Sequence, residues 1–78
     1  MSGMAPQTFM LRGEYITLDA LLKATGQVGS GGEAKQHIAA GQVRVNEEVE
    51  ARRGRKLRAG DQVQFGATRV VVFGAAAQ

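Results

Sequence analysis

The sequence contains no cysteine, which excludes disulfides, thiolate metal sites and cysteine nucleophiles together and fits a reducing cytoplasm. It has a single histidine, His37, and therefore lacks a second imidazole for a zinc-type site, so we expect neither a metal nor a cofactor. No apolar run approaches the roughly 20 residues of a membrane-spanning helix, and the opening residues lack the basic and apolar regions of a signal peptide. These absences predict a cytoplasmic protein that does not bind membranes.

Aromatic side chains are also scarce, and the four present are Phe9, Tyr15, Phe65 and Phe73. Proteins that hold single-stranded nucleic acid stack successive bases on exposed aromatic rings. Most of these four residues are expected in the core or at its edge. The composition therefore argues against a stacking platform.

The length of 78 residues allows one domain, and 44% hydrophobic with 22% charged residues is a globular composition. We expect the domain to span residues 8–74. Flexible tails are expected at residues 1–7, which hold the only proline, and at residues 75–78. A chain this short buries only about 60% of its unfolded surface, so we expect modest stability.

Positive charge is concentrated in one segment. The formal net charge is +3, but five of the ten basic residues lie within positions 52–58, namely Arg52, Arg53, Arg55, Lys56 and Arg58. Such a patch attracts polyanions even when the whole molecule is only mildly basic. The alternative is a solvated loop whose arginines pair with the nearby acids Glu47, Glu48 and Glu50.

Two helices are predicted. The first carries an apolar face with the spacing i, i+3, i+4 and i+7, formed by Leu18, Leu21, Leu22 and Thr25. Thr17 is its expected N-cap, and Gly26 is expected to end it. The second begins at Gly31 or Gly32, since Ser30 and Glu33 have the spacing of a capping box, and Gly41 ends it. Its core side is expected to carry Ala34 and Ile38, and its other side Lys35, Gln36 and Ala39.

The rest of the chain predicts strands. Residues 42–46 alternate, with Val43 and Val45 inward and Arg44 outward, and a second short strand is expected around Val49 after a turn at 46–47. Residues 58–61 form a turn, and residues 62–65 and 69–73 form a closing hairpin around 66–68. Either Val70 and Val72 or Val71 and Phe73 line its inner face. Residues 8–13 are a weaker strand pattern.

This order of elements predicts an α+β fold, in which two short helices pack on a small antiparallel sheet that ends in a C-terminal β-hairpin. Other folds fit less well. Residues 29–34 match a relaxed dinucleotide pattern, G-x-G-x-x-A, but they follow a helix instead of a strand. Residues 26–29 match the G-x-x-G clamp of a KH domain, which needs a further helix where a hairpin is predicted here. A ubiquitin-like sulfur carrier would need a terminal Gly-Gly.

Residues 17–61 resemble the RNA-binding domain named after ribosomal protein S4, also called the α-L motif. The resemblance rests on the leucine-bearing first helix, the helix start at Ser30, the run GQVRVN at 41–46 and the K-x-x-x-G-D ending at 56–61. The short stand-alone bacterial proteins of the YbcJ type share the S-G-x-x-A-K form of residues 30–35 and a similar hairpin. Two positions depart from the pattern. Many members carry arginine where this chain has Gly31, and glycine where it has Glu47.

The resemblance implies a non-enzymatic, monomeric protein that binds structured RNA, such as ribosomal or transfer RNA. It also implies association with ribosomal particles. The implied contact residues, expected to converge on one basic face, are Ser30, Gly31, Lys35, Gln36, Arg44, Asn46, Arg52, Arg53, Arg55 and Lys56. The alternative is a protein-interaction module that keeps the fold without significant RNA affinity. A lone histidine at the margin of a core face does not predict catalysis.

Overall fold

A computed structural model describes residues 7–74. Of the tails predicted at residues 1–7 and 75–78, residues 1–6 and 75–78 lie outside the described residues. Gln7 was predicted to belong to the tail but opens the first strand. The elements in chain order are β1 (Gln7–Leu11), β2 (Ile16–Thr17), α1 (Leu18–Ala24), α2 (Gly31–Ala39), β3 (Val43–Val45), β4 (Glu48–Val49), β5 (Lys56–Leu57), β6 (Gln62–Phe65) and β7 (Thr68–Gly74).

Five strands form one sheet in the order β1-β7-β6-β3-β4. The pairs β7–β6, β6–β3 and β3–β4 are antiparallel, whereas β1 lies parallel to β7. A separate two-stranded ribbon joins β2 to β5 in antiparallel fashion. The predicted α+β class is confirmed, and the first strand makes the sheet mixed.

One apolar core lies between the helices and one face of the sheet. In α1 the leucines are fully buried, and in α2 Ala34 and Ile38 are. The strands contribute every second residue, so Val43 and Val45 point inward while Arg44 is exposed. In the closing hairpin Val70 and Val72 are buried and Phe73 is exposed, which decides between the two predicted faces. Each fully buried leucine or valine contributes about 1.5–3 kcal/mol.

The helix starts use different caps. Ser30 caps α2 as predicted, because its Oγ accepts a hydrogen bond from the Glu33 N–H at 3.1 Å. The Glu33 carboxylate accepts from the N–H of Gly29, at 2.8 Å, instead of from that of Ser30. Thr17 occupies the N-cap of α1, but its hydroxyl makes no capping bond. The first N–H groups of α1 instead donate to carbonyls of a distant segment.

Both helices end at a glycine in the left-handed region, as predicted. Gly26 has φ +79° and Gly41 has φ +78°. In each case the glycine N–H and the next N–H donate to carbonyls of the last helical turn, at Lys23 and Leu22 in α1 and at Ile38 and His37 in α2. These are Schellman motifs, in which the glycine adopts a left-handed backbone conformation that is unfavourable for other residues.

The two β-hairpins turn in two residues. Asn46 and Glu47 connect β3 to β4 with φ values of +53° and +73°, so both adopt the conformation of a type I′ turn. Gly66, with φ +62°, begins the turn between β6 and β7. Thr68 pairs with Phe65 and therefore belongs to the strand, one residue earlier than predicted. Within residues 7–74 no helix is long and apolar enough to cross a membrane.

Candidate nucleic-acid interface

The segment 50–58, which we call the basic loop, is organised by a buried carboxylate. Glu50 is 7% exposed. Its Oε2 accepts from Nε of Arg52 at 3.0 Å, and its Oε1 accepts from Nη1 of Arg55 at 2.8 Å. Hydrogen bonds from Arg52 and then Arg55 lower the pKa of Glu50 to about 2, against a raising effect of burial. The hydrogen bond to Glu50 in turn raises the pKa of Arg52. Glu50 therefore stays ionised at neutral pH.

The basic loop is also tied to the start of α1. The N–H groups of Leu18 and Asp19 donate to the carbonyls of Arg55 and Arg53, at 2.9 and 3.0 Å. These carbonyls satisfy helix N–H groups that the Thr17 hydroxyl leaves free. The β2–β5 pairing follows at once, with Thr17 opposite Lys56. The basic loop is therefore fixed by Glu50 and by the start of α1 without a bound ligand.

The cations of the basic loop still face solvent. The Arg52 side chain is 76% exposed despite its ion pair, whereas that of Arg55 is 31% exposed. Arg53 is exposed, and its side chain has no hydrogen-bond or ion-pair partner among residues 7–74. Arg52, Gly54, Arg55 and Lys56 line an open groove. The structure thus brings four of the predicted contact residues together.

The predicted pairing of the loop arginines with nearby acids is met by Glu50 alone. In the described part of the chain Glu47 and Glu48 form no ion pair. Three acids precede the arginines, and only tertiary packing selects the one that is buried. The sequence alone therefore does not identify Glu50 as the residue that organises the loop.

The predicted contact residues at the start of α2 form a separate group. Ser30 caps the helix, and a Cβ added at Gly31 would meet no heavy atom within 4 Å. Lys35 and Gln36 are exposed on the helix. No hydrogen bond or ion pair within residues 7–74 joins this group to the basic loop. Their convergence on one RNA-binding face stays a prediction.

Arg44 and Asn46 differ in their surroundings. Arg44 lies on the sheet face opposite the core, between Gln64 and Val49 of the neighbouring strands. Asn46 is engaged within the protein: its Nδ2 donates to Oδ1 of Asp61 and its Oδ1 accepts from the Gln62 N–H, both at 3.0 Å. It joins the β3–β4 turn to the start of β6. A direct RNA contact by Asn46 stays a prediction.

Asp61 explains the G-D ending of the family-like motif. Its Oδ2 accepts from the Arg58 N–H at 2.8 Å, and Gly60 has φ +97°. The Asp61 carboxylate thus closes the predicted turn and also bonds Asn46. This residue pair shapes the end of the basic loop.

His37 packs against an aromatic ring at the edge of the core. Its ring centroid lies 4.9 Å from that of Phe65, and its Nδ1 lies 2.6 Å from Oε1 of Gln42. Its Nε2 is 4.0 Å from the Glu33 carboxylate. No cluster of three or more potential metal-ligating His, Cys, Asp or Glu residues occurs within the described range.

The fold and the anchored cationic loop define a small α+β domain of the α-L type. A family model described as the S4 domain matches residues 9–73, so the chain belongs to the S4 domain family. The predicted resemblance is confirmed.

Two similar proteins are informative. The probable ribosome maturation protein RlbA of Bacillus subtilis is 46% identical over 61 residues, which cover 74% of this chain and 86% of that protein. The solution structure of YbcJ from E. coli superposes with a TM-score of 0.69 at 39% identity, covering 94% of this chain and 95% of YbcJ. That structure is described as revealing an α-L motif involved in RNA binding.

Proposed function

We propose that the protein binds structured RNA through the basic loop, without catalysing a reaction. The observation that carries the proposal is the loop itself, in which Glu50 and the start of α1 hold several cations in place beside an open groove. The α-L motif of YbcJ and the ribosome maturation name of RlbA support an RNA partner. The RNA is ribosomal or transfer RNA, and the process is ribosome maturation or translation in the cytoplasm.

The physical argument concerns preorganisation. Structured RNA is recognised mainly through phosphates, 2′-hydroxyls and shape. An arginine can grip a phosphate with two N–H groups, whereas lysine acts as a point charge. Because Glu50 already restrains Arg52 and Arg55, less side-chain entropy is lost when RNA binds. Arg53 has no competing partner in the described chain and is expected to contribute most per side chain.

The alternative is a protein-interaction module of the same fold. Its specific support is that Glu50 occupies donors of two loop arginines. Against it stands the local charge, because positions 50–58 contain one acidic residue and five basic residues. The loop keeps a strong positive excess, which favours a polyanion. The protein acts as a monomer in this proposal, and it needs no metal or cofactor.

The test is binding of ribosomal or transfer RNA across a salt series. Contacts to about four phosphates give a slope of log affinity against log salt near −3 to −4. Arg53→Glu should flatten the slope by about one and weaken binding by at least about tenfold, because it replaces a phosphate contact by repulsion. Arg53 is the suitable site since its side chain has no partner within residues 7–74. Arg55 is unsuitable because Glu50 holds it.

Lys23→Glu is the matched control. It makes the same change in net charge at an exposed position in the last turn of α1. The basic loop contacts the opposite end of this helix. Circular dichroism should show both variants folded. An equal loss in both variants would mean that net charge, and not this loop, drives binding. No binding of wild-type protein even at low salt would contradict RNA binding and favour the protein-interaction alternative.

A further inference from the structure

The β2–β5 ribbon has a core face and a solvent face. Ile16 pairs with Leu57, and Leu57 is fully buried while Ile16 packs against the core. Side chains alternate along a strand, so their neighbours point the other way. Tyr15, Lys56 and Arg58 therefore share the solvent face.

Tyr15 is the centre of this face. Nζ of Lys56 lies 5.0 Å and Cζ of Arg58 lies 5.7 Å from the centroid of its ring. Both distances are within the roughly 6 Å range of a cation–π interaction. Tyr15 remains 44% exposed, so the cluster is open to a ligand. An aromatic ring outside the core thus holds two flexible cations close together.

The cluster continues the surface of the basic loop. Lys56 lines the same groove as Arg52 and Arg55. The backbone N–H of Arg58 is fixed by the Asp61 carboxylate, which restrains the strand that carries both cations. Across the described chain no acidic side chain pairs with Lys56 or Arg58. Their charges are available to an anion.

We propose that Tyr15, Lys56 and Arg58 form a further phosphate-binding part of the RNA interface. Lys56 and Arg58 are two residues apart in an extended segment, about 6.6 Å between Cα atoms, so they contact neighbouring phosphates of one RNA strand. Tyr15 is a positioning residue that holds the two cations over its ring. Arg58 belongs to the basic segment predicted from the sequence but not to the implied contact residues, and Tyr15 was noted there only as one of four aromatic residues. This inference rests on the proposed function.

The test compares Tyr15→Ala with Tyr15→Phe in the same RNA salt series. Tyr15→Ala leaves the number of cations unchanged, so the salt slope should stay the same while affinity falls at every salt concentration. The loss should be about fivefold, since each exposed cation–π contact is worth a factor of about two to five. Tyr15→Phe keeps the ring and should bind within about twofold of wild type.

Arg58→Gln tests the phosphate contact independently of the ring. It should flatten the salt slope by about 0.9, the value for one lost phosphate contact. Lys23→Gln removes one charge from the distant end of α1 and should leave the slope unchanged. If Tyr15→Ala lowers the thermal midpoint, its loss of affinity can come from lost stability. The salt slopes of Arg58→Gln and Lys23→Gln then test the phosphate contact.

Two results would overturn the inference and leave RNA binding intact. One is wild-type affinity and slope for both Tyr15→Ala and Arg58→Gln. The other is equal weakening by Tyr15→Phe and Tyr15→Ala, which would assign the effect to the hydroxyl and not to the ring. Failure of the wild-type protein to bind any RNA would overturn the proposed function together with this extension of it.

Discussion

Replacing Glu50 by glutamine tests whether one buried carboxylate organises the basic loop. The substitution keeps the shape of the side chain and removes its charge. The pKa of Glu50 falls from 4.5 to about 2 in the folded protein, because Arg52 and Arg55 donate hydrogen bonds to the ionised carboxylate. At about 1.4 kcal/mol per pKa unit, this shift corresponds to at most about 3.5 kcal/mol of stability.

The effective contribution is smaller. The Arg52 side chain is 76% exposed, so solvent screens its share of the interaction. We expect Glu50→Gln to lower the free energy of unfolding by about 1–2 kcal/mol at pH 7. The assay is urea unfolding followed by circular dichroism, with wild type and variant compared at each pH.

The pH dependence follows from the sign of the shift. Because the folded-state pKa of Glu50 is lowered, its stabilisation is complete above the unfolded value of 4.5 and is lost as the pH falls toward about 2. The difference between wild type and Glu50→Gln should therefore shrink from pH 5 to pH 2. Glu48→Gln, which removes an exposed carboxylate in β4, should differ from wild type by less than about 0.5 kcal/mol throughout.

Two outcomes would refute this reasoning. A stability difference that is the same at pH 2 and at pH 7 would show that shape, and not charge, is responsible. A difference near zero at pH 7 would show that the ion pairs contribute nothing.

RNA binding by the same variant separates two roles of Glu50. If Glu50 merely neutralises the loop, Glu50→Gln binds RNA more tightly. If Glu50 organises the loop, the variant binds RNA more weakly.

Two further substitutions test local geometry by the same unfolding assay. Glu47 has φ +73°, so Glu47→Gly should raise the free energy of unfolding by about 0.5–1 kcal/mol, whereas Glu47→Gln, which keeps the strained backbone, should not. A gain in the glutamine variant as well would point to charge. Ser30→Ala should cost about 1 kcal/mol because the Glu33 N–H loses its acceptor, and Ser30→Asp should retain most of that stability. Equal stability of the alanine and aspartate variants would deny the cap its role.

Features that depend on neighbouring residues could be predicted from the sequence. The capping serine, the glycine helix ends and the apolar spacing of α1 act within one or two turns, so they predict helix positions closely. Alternation in β3 predicts which residues are buried because the side-chain period of a strand is two. The turn at Asn46 and Glu47 was also predicted, although its positive φ values required the structure.

The arrangement of the candidate interface was decided by contacts between distant parts of the chain. β1 pairs with β7 and β2 with β5, and no local pattern marks which strand will lie beside which. The same is true of side chains. The packing of these strands buries Glu50, whereas Glu47 and Glu48 stay exposed. It also places Arg58 over the ring of Tyr15.

The sequence alone therefore determined the α+β class, the helix boundaries, the inward-facing residues and the presence of a cationic segment. Only the tertiary structure shows that backbone hydrogen bonds join this segment to the start of α1 and that Tyr15 lies beside it. The physical reason is one of range. Caps, turns and periodicity arise from interactions between residues close in the chain, whereas the position of a charge relative to a buried partner depends on the packing of the whole domain.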